Sequence, residues 1–212
     1  MGELPRPTDL ELAALISSKI CHDVIGPVGA IVNGLEILED DEGGEQRSYA
    51  LDVIRNVTQQ ASARLQFARF AFGAAGSAGA SIDLGTAEQL SRGFVGDAKH
   101  KLVWRVPHGY MPKDRAKLLL NLVASAITAL PRGGEIEVTM DGTFETANFL
   151  VRCRGTSARP PQYLSDFVGG SAPQLDAMTI QAYYTWRLAG SVGMQLDIAK
   201  DGSDVLLKAT LL

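Results

Sequence analysis

Residues 8–40 read TDLELAALISSKICHDVIGPVGAIVNGLEILED, and the fold turns on how this stretch is read. Thr8-Asp9-Leu10-Glu11 has the spacing of a capping box, in which Thr8 caps a helix and Glu11 returns the bond from three places on. Beyond it Leu12, Ile16, Ile20, Val24, Val28, Ile31, Leu35 and Leu38 recur at intervals of three and four. That spacing stacks them as one apolar stripe on a helix running to about Asp40. The run Asp40-Asp41-Glu42-Gly43-Gly44 then breaks the pattern with acidic and flexible residues.

A second helix is expected from about Glu45 to Phe72, with the stripe Ala50, Ile54, Val57, Ala61, Leu65, Ala68 and Phe72. Two long helices joined by a short turn form an antiparallel hairpin. Each presents an apolar face wider than one neighbour covers, so a second copy completing a four-helix bundle is the expected solution. Homodimerisation is therefore a structural expectation. The small residues from Gly73 to Ser81 have a linker composition, which leaves the relative orientation of the C-terminal part open.

Past the linker the pattern changes. Thr86 to Phe94 reads as a short helix, Leu102 to Val106 as a strand, and Pro112 to Leu130 as a helix with Leu118, Leu122, Ala126 and Leu130 on one face. Glu135–Met140 and Asn148–Arg154 read as paired strands around Asp141-Gly142. Pro173 to Leu188 is expected to be helical, and Met194–Ile198 with Val205–Leu211 to close the chain as a hairpin. The fold class is α+β: a helical hairpin over residues 1–75, then an α/β sandwich over residues 76–212.

Composition narrows the function classes. The chain has 212 residues, 46% of them hydrophobic, and a formal net charge of −4, room for one domain or two small ones. Its Lys and Arg are scattered rather than gathered on one face, which argues against nucleic acid. The nearest cluster, Arg152, Arg154 and Arg159, reads as a solvated loop or a partner contact. Cys21 and Cys153 are too few for a disulfide scaffold and suit a reducing compartment. No basic-then-apolar leader precedes Thr8, and no uninterrupted apolar run reaches the ~20 residues of a membrane span. A soluble, cytoplasmic protein is the expectation.

Three histidines are candidates for chemistry. His100 and His108 lie in polar and turn-forming sequence and are expected to be uninvolved surface. His22 lies mid-helix. At about 100° per residue it sits roughly 200° from both Ile20 and Val24, pointing away from the stripe. Ser18, Lys19, Gly26 and Gly29, small or polar, are expected around it on that outer face. Asp23 can orient the neighbouring imidazole. Pro27 has no amide for the carbonyl of Asp23 and crowds it, so a kink is expected within a turn of His22. A helix interior accepts that cost, about 3 kcal/mol, for a reason. Neutral imidazole can take a phosphoryl group on one nitrogen and pass it on, and the transfer needs positioning and charge neutralisation more than covalent help.

His22-Asp23-Val24-Ile25-Gly26-Pro27 resembles the His-(Glu/Asp)-x-x-x-Pro phosphoacceptor box of histidine kinases, placed as in that family on the first helix of a dimerisation hairpin. Leu118 to Ala126, followed by Gly133-Gly134-Glu135-Ile136-Glu137-Val138, is similar to the kinase asparagine box and the strand after it. The departures are as informative. Ser125 stands where the kinases place a Mg²⁺-ligating asparagine, and serine is the weaker oxygen ligand. Asn121 matches only the earlier asparagine of that pattern. Val151-Arg-Cys-Arg-Gly155-Thr-Ser157 lacks the aspartate that recognises adenine, and Ala177 to Tyr183 lacks the glycines that cradle phosphates.

The chain is thus similar to the bacterial histidine phosphotransferases, in which a phosphoacceptor hairpin is joined to a degenerate ATP-binding fold. The resemblance implies a cytoplasmic homodimer in cell-cycle phosphorelay signalling, without ATPase or autokinase activity. It would take phosphoryl groups from the receiver domain of the hybrid kinase CckA onto His22 and pass them to the response regulators CtrA and CpdR. Asp23 would assist, and Lys19, Ser18, Gly26 and Gly29 would lie against the receiver or its phosphate. The chain would bind no cofactor or metal of its own, with Mg²⁺ supplied by the receiver, and neither nucleic acid nor membrane would be a partner. Two rivals stay open: a docking or inhibitory dimer that carries no phosphate, and an ATP-dependent kinase with atypical boxes. A Ser/His/Asp hydrolase has no Gly-x-Ser-x-Gly elbow to support it.

Overall fold

The computed structural model describes residues 6–40, 44–73, 81–171 and 173–212. The acidic break at 41–43 and residues 74–80 of the expected linker lie outside the described residues. Helix α1 (Asp9–Asp40) begins where the capping box places it. The Thr8 amide donates to Glu11 Oε2 at 2.8 Å and the Glu11 amide to Thr8 Oγ1 at 3.3 Å, closing the box in both directions. Pro27 does not interrupt α1, which stays helical to Asp40. Helix α2 (Glu45–Ala71) packs back along it.

The seam between the two helices is narrower than the stripes suggest. Leu12, Ile16, Ile20, Val24, Ile31 and Leu38 are half-buried as expected, but Val28, Leu35 and Leu65 are exposed. The line of closest approach passes instead through Gly34 on α1, against Ala50 and Ile54 on α2, while Phe67 and Ala71 are buried in the core of the C-terminal part. A 3.6-residue helix drifts relative to a strict three-four repeat, and a single neighbour covers only part of a broad stripe.

The rest of the chain adds β1 (Ser81–Asp83), α3 (Leu84–Val95), β2 (His100–Trp104), β3 (Tyr110–Pro112), α4 (Lys113–Ala129), β4 (Gly134–Asp141), β5 (Asn148–Arg154), α5 (Gln162–Val168), α6 (Ile180–Ser191), β6 (Met194–Asp201) and β7 (Asp204–Leu211). Five strands form one sheet in the order β2-β4-β5-β7-β6, parallel between β2 and β4 and antiparallel elsewhere. Helices cover one face, making a two-layer α/β sandwich, with β1 and β3 paired as a separate ribbon. Helix α4 is central: Leu118, Leu119, Leu120, Leu122, Val123 and Ala126 are all buried, so its apolar arc is far wider than one stripe.

Several elements differ from expectation. The helix foreseen from Pro173 starts only at Ile180. Asp176 Oδ1 accepts from the amides of Met178 and Thr179 while Thr179 Oγ1 donates to Gln174 O, a side-chain-made turn that competes with helix. Helix α5 and the β1–β3 ribbon were not foreseen, being too short to show a period. Arg152 and Arg154 lie on strand β5 rather than in a solvated loop, paired across the sheet's outer face with Glu135, Glu137, Asp201 and Asp204.

The open end of the hairpin is built into the second part's core. Phe67 stacks on Phe94 with ring centroids 3.9 Å apart, and Phe72 meets Tyr184 edge-on. Leu12, Leu15 and Ile16 of α1 pack against the same cluster. Burying a phenylalanine this way contributes about 1.5–3 kcal/mol. The boundary drawn at residues 75/76 is thus crossed by shared packing.

Candidate functional site

Half-way along α1 the helix presents His22 with 58% of its side chain exposed, pointing outward as its angle requires. One turn on, Ile25 is exposed as well, and a Cβ built on Gly26 or Gly29 would meet nothing within 4 Å. Ser18 is also exposed. The imidazole therefore stands on an open surface with little side-chain bulk to its C-terminal side.

Lys19 departs from the expected arrangement. It is half-buried toward α2, and its Nζ lies 2.5 Å from both carboxylate oxygens of Asp23. An i,i+4 spacing brings these two together on one face of the helix. Lys19 is thus committed to Asp23 rather than free beside the imidazole. The Asp23 carboxylate in turn lies 3.4 Å from His22 Nδ1, the outer limit for an N–H···O contact. With the ring proton on Nδ1, the imidazole points that N–H toward Asp23 and keeps the Nε2 lone pair for chemistry.

Sequence reading missed Arg64. Its Nη1 crosses from α2 and donates to the main-chain carbonyl of Asp23 at 2.7 Å. That is the carbonyl Pro27 leaves without an amide partner, and a half-buried acceptor seeks another donor. The signal was available, since an antiparallel hairpin that sets Gly34 against Ile54 also sets Asp23 near position 64. Asp23 is therefore gripped twice, by Lys19 at its carboxylate and by Arg64 at its carbonyl, directly beside His22.

His100 and His108 stand apart from this group. His100 is half-buried rather than free surface, its Nε2 2.9 Å from Leu130 O. His108 is exposed in the loop before β3, near the Asp83 cap of α3. Among the described residues no group of three or more His, Cys, Asp or Glu could hold a metal ion.

The kinase-like positions of the second part form a joint. Asn121 Nδ2 donates to Lys117 O and, across to the hairpin, to Ala71 O at 3.0 Å. Ser125 Oγ donates to Asn121 O at 2.9 Å. Gln181 of α6, where the glycine-rich segment would open, donates to Asn121 O and Thr185 Oγ1, both at 3.0 Å. These buried polar groups satisfy one another and the end of α2. By length and mean hydropathy (1.3) α1 passes as a possible membrane span, although its apolar residues are interrupted by polar ones. It nevertheless carries Lys19, His22 and Asp23 at its middle and packs along α2.

Comparison with known proteins adds three matches. The model of the histidine phosphotransferase C-terminal domain matches residues 84–204. Protein phosphotransferase ChpT of Brucella abortus (strain 2308) is 42% identical over 202 residues, which cover 94% of this chain and 95% of that protein. A solved bacterial phosphotransferase structure is 38% identical and superimposes with a TM-score of 0.90 over 98% of this chain and 100% of that one.

Proposed function

Because this chain belongs to the histidine phosphotransferase family, we propose that His22 is the residue on which it carries the phosphoryl group in a two-component phosphorelay. The observation that supports this most directly is an exposed imidazole on a rigid helix, with Nδ1 facing an aspartate that is itself held at two points. A group that must meet an aspartyl phosphate in another protein's pocket has to protrude, and it has to be fixed in angle while doing so.

In the forward step His22 Nε2 attacks the phosphorus of a receiver's aspartyl phosphate. An N–P bond forms, the acyl-phosphate P–O bond breaks, and the electron pair leaves with the receiver's carboxylate. The proton stays on Nδ1, where the Asp23 carboxylate offsets the positive charge that develops on the ring. A second receiver's aspartate then attacks the phosphohistidine, reversing these changes. The charge of the phosphoryl oxygens would be neutralised by Mg²⁺ in the receiver's acidic pocket, this chain's part being to hold and orient His22. Lys19 acts through Asp23, and Ser18, Ile25, Gly26 and Gly29 make the floor on which a receiver sits. The donor and acceptors that fit this reading are the receiver of CckA and the regulators CtrA and CpdR, in the cytoplasm.

A second copy of the chain completes the bundle. Val28, Val32 and Leu35 stay exposed along α1 at spacings of four and three, and Leu51 and Leu65 on α2 are similarly uncovered. Such a seam suits another pair of helices. The joint made by Asn121, Ser125, Gln181 and Ala71 supports a second part that braces the hairpin and adds docking surface rather than handling nucleotide.

The test is transfer of label from a phosphorylated receiver domain to this protein and to His22→Ala, beside a lane with ATP alone. Label on the wild type that vanishes in His22→Ala, with none from ATP, is the expected result. Label from ATP alone would make the chain a kinase, and no label in any lane would leave a docking dimer.

A further inference from the structure

Helix α1 lacks one internal hydrogen bond, the one from residue 27 to the carbonyl of Asp23, because Pro27 has no N–H. The carbonyl is not left to solvent. Arg64 reaches across the hairpin and donates to it at 2.7 Å. A guanidinium donor to a neutral carbonyl makes a strong, charge-assisted bond. It fixes the peptide on the C-terminal side of Asp23, and the Asp23 carboxylate is fixed separately by Lys19. His22 precedes this doubly held residue and has its Nδ1 3.4 Å from it.

From this geometry we infer that Arg64 is a positioning residue for phosphoryl transfer: by replacing the hydrogen bond that Pro27 removes, it sets the orientation of Asp23 and, through it, of the His22 imidazole. The inference rests on His22 being the phosphoryl carrier. Proline and arginine form a functional pair across the hairpin. The proline clears the carbonyl of its helical partner, and the arginine ties that carbonyl to α2, so the acceptor segment of α1 is registered on the neighbouring helix rather than on its own next turn. Arg64 touches neither phosphate nor receiver in this role.

The pair makes an unusual double-variant prediction. In Pro27→Ala the residue-27 amide returns, and a continuous helix aims it at the Asp23 carbonyl. Arg64 then becomes dispensable for orientation.

The experiment measures the rate of label transfer from a phosphorylated receiver domain to the full chain for wild type, R64A, R64K, P27A and P27A/R64A. Alongside, the ¹⁵N imidazole signals of His22 are recorded on the unphosphorylated proteins, with melting curves as a check of folding. R64A should slow transfer about tenfold, the order expected for a slightly misplaced reacting group. R64K keeps a cationic donor and should recover most of the rate. Within the P27A background the R64A effect should shrink to about twofold or less, and the His22 signals should return toward those of P27A. Wild-type rate and unchanged imidazole signals in R64A would overturn the inference. So would an R64A penalty equal in both backgrounds, which would place Arg64 on the phosphate, on the receiver or in the general stability of the hairpin. A wild type that takes no label overturns the carrier assignment instead, and the imidazole signals then decide for or against Arg64 without it.

Discussion

Asp23 and the two cysteines show how much a single side chain's surroundings decide. The Asp23 carboxylate meets Lys19, its carbonyl meets Arg64, and its neighbour His22 stays open to solvent, so one short stretch of helix is rigid on one side and available on the other. Cys21, next to His22, is exposed, whereas Cys153 is buried on β5 under the helical layer. Burial pushes the Cys153 thiol up to about 12, with the Asp204 charge acting in the same direction. Thiolate is the reactive form, so this thiol is inert while the fold holds. The expected outcome is one equivalent of a maleimide reagent taken up at pH 8 by the native protein, lost in Cys21→Ser. A second equivalent should enter only after denaturation. Two equivalents on the native protein would mean that β5 opens readily.

The helical hairpin behaves as a pair of elements whose close approach is set by small residues. A Cβ on Gly34 would lie 2.6 Å from Ile54 Cγ1, and that carbon belongs to a β-branched side chain with little freedom to turn away. Alanine at an exposed helical glycine gains up to about 1 kcal/mol of helix propensity. Overpacking of a seam costs about 1–3 kcal/mol. The second effect wins at Gly34, where Gly34→Ala should lower stability by about 1 kcal/mol, a loss relieved in Gly34→Ala/Ile54→Ala relative to Ile54→Ala alone. At Gly26 and Gly29 nothing lies within reach, so alanine there should raise stability. Thermal melts of the three single variants check the sign at each position, and a stabilised Gly34→Ala would show that the seam has room to spare. The same elements show what periodicity misses. It located α1, α2 and α4, but Val28 and Leu35 of its stripe face outward because the seam follows Gly34 and Pro27.

Across the whole molecule, several carboxylates are engaged in ways that favour their charged form. Glu11 is held below its ordinary 4.5 chiefly by the Thr8 amide, and Asp83 below its ordinary 3.8 chiefly by the amide of Thr86. Asp176 is lowered by the amides of Thr179 and Met178, and Glu137 first by the Arg105 side chain. Each has a folded-state value below its unfolded one, so the folded state binds fewer protons in the window between them. Their contribution is complete above the unfolded values and disappears as pH falls through the depressed ones. Denaturation midpoints should therefore be flat from pH 7 to about 5 and then fall as pH drops below about 4. Glu11→Gln should remove the share of this slope that belongs to Glu11. A midpoint that rises on acidification would contradict the assignment. These groups are spread over the α1 cap, the α3 cap, the turn before α6 and the outer sheet face, so the loss is distributed rather than local.

Local pattern by itself determined the capping box at Thr8, both long helices, the β4–β5 and β6–β7 pairings, and the outward aim of His22. Each depends on spacings within a few residues, which the chain carries whether or not it is folded. Tertiary structure alone decided which part of each stripe is covered, that Asn121 ties α4 to the end of α2, and that Arg64 supplies the donor Pro27 withholds. Those outcomes join residues up to 50 positions apart. They depend on how closely two helices approach and at what register, quantities that no window of sequence contains. An orphaned carbonyl can be read from a proline, but the residue that answers it is chosen by the packing.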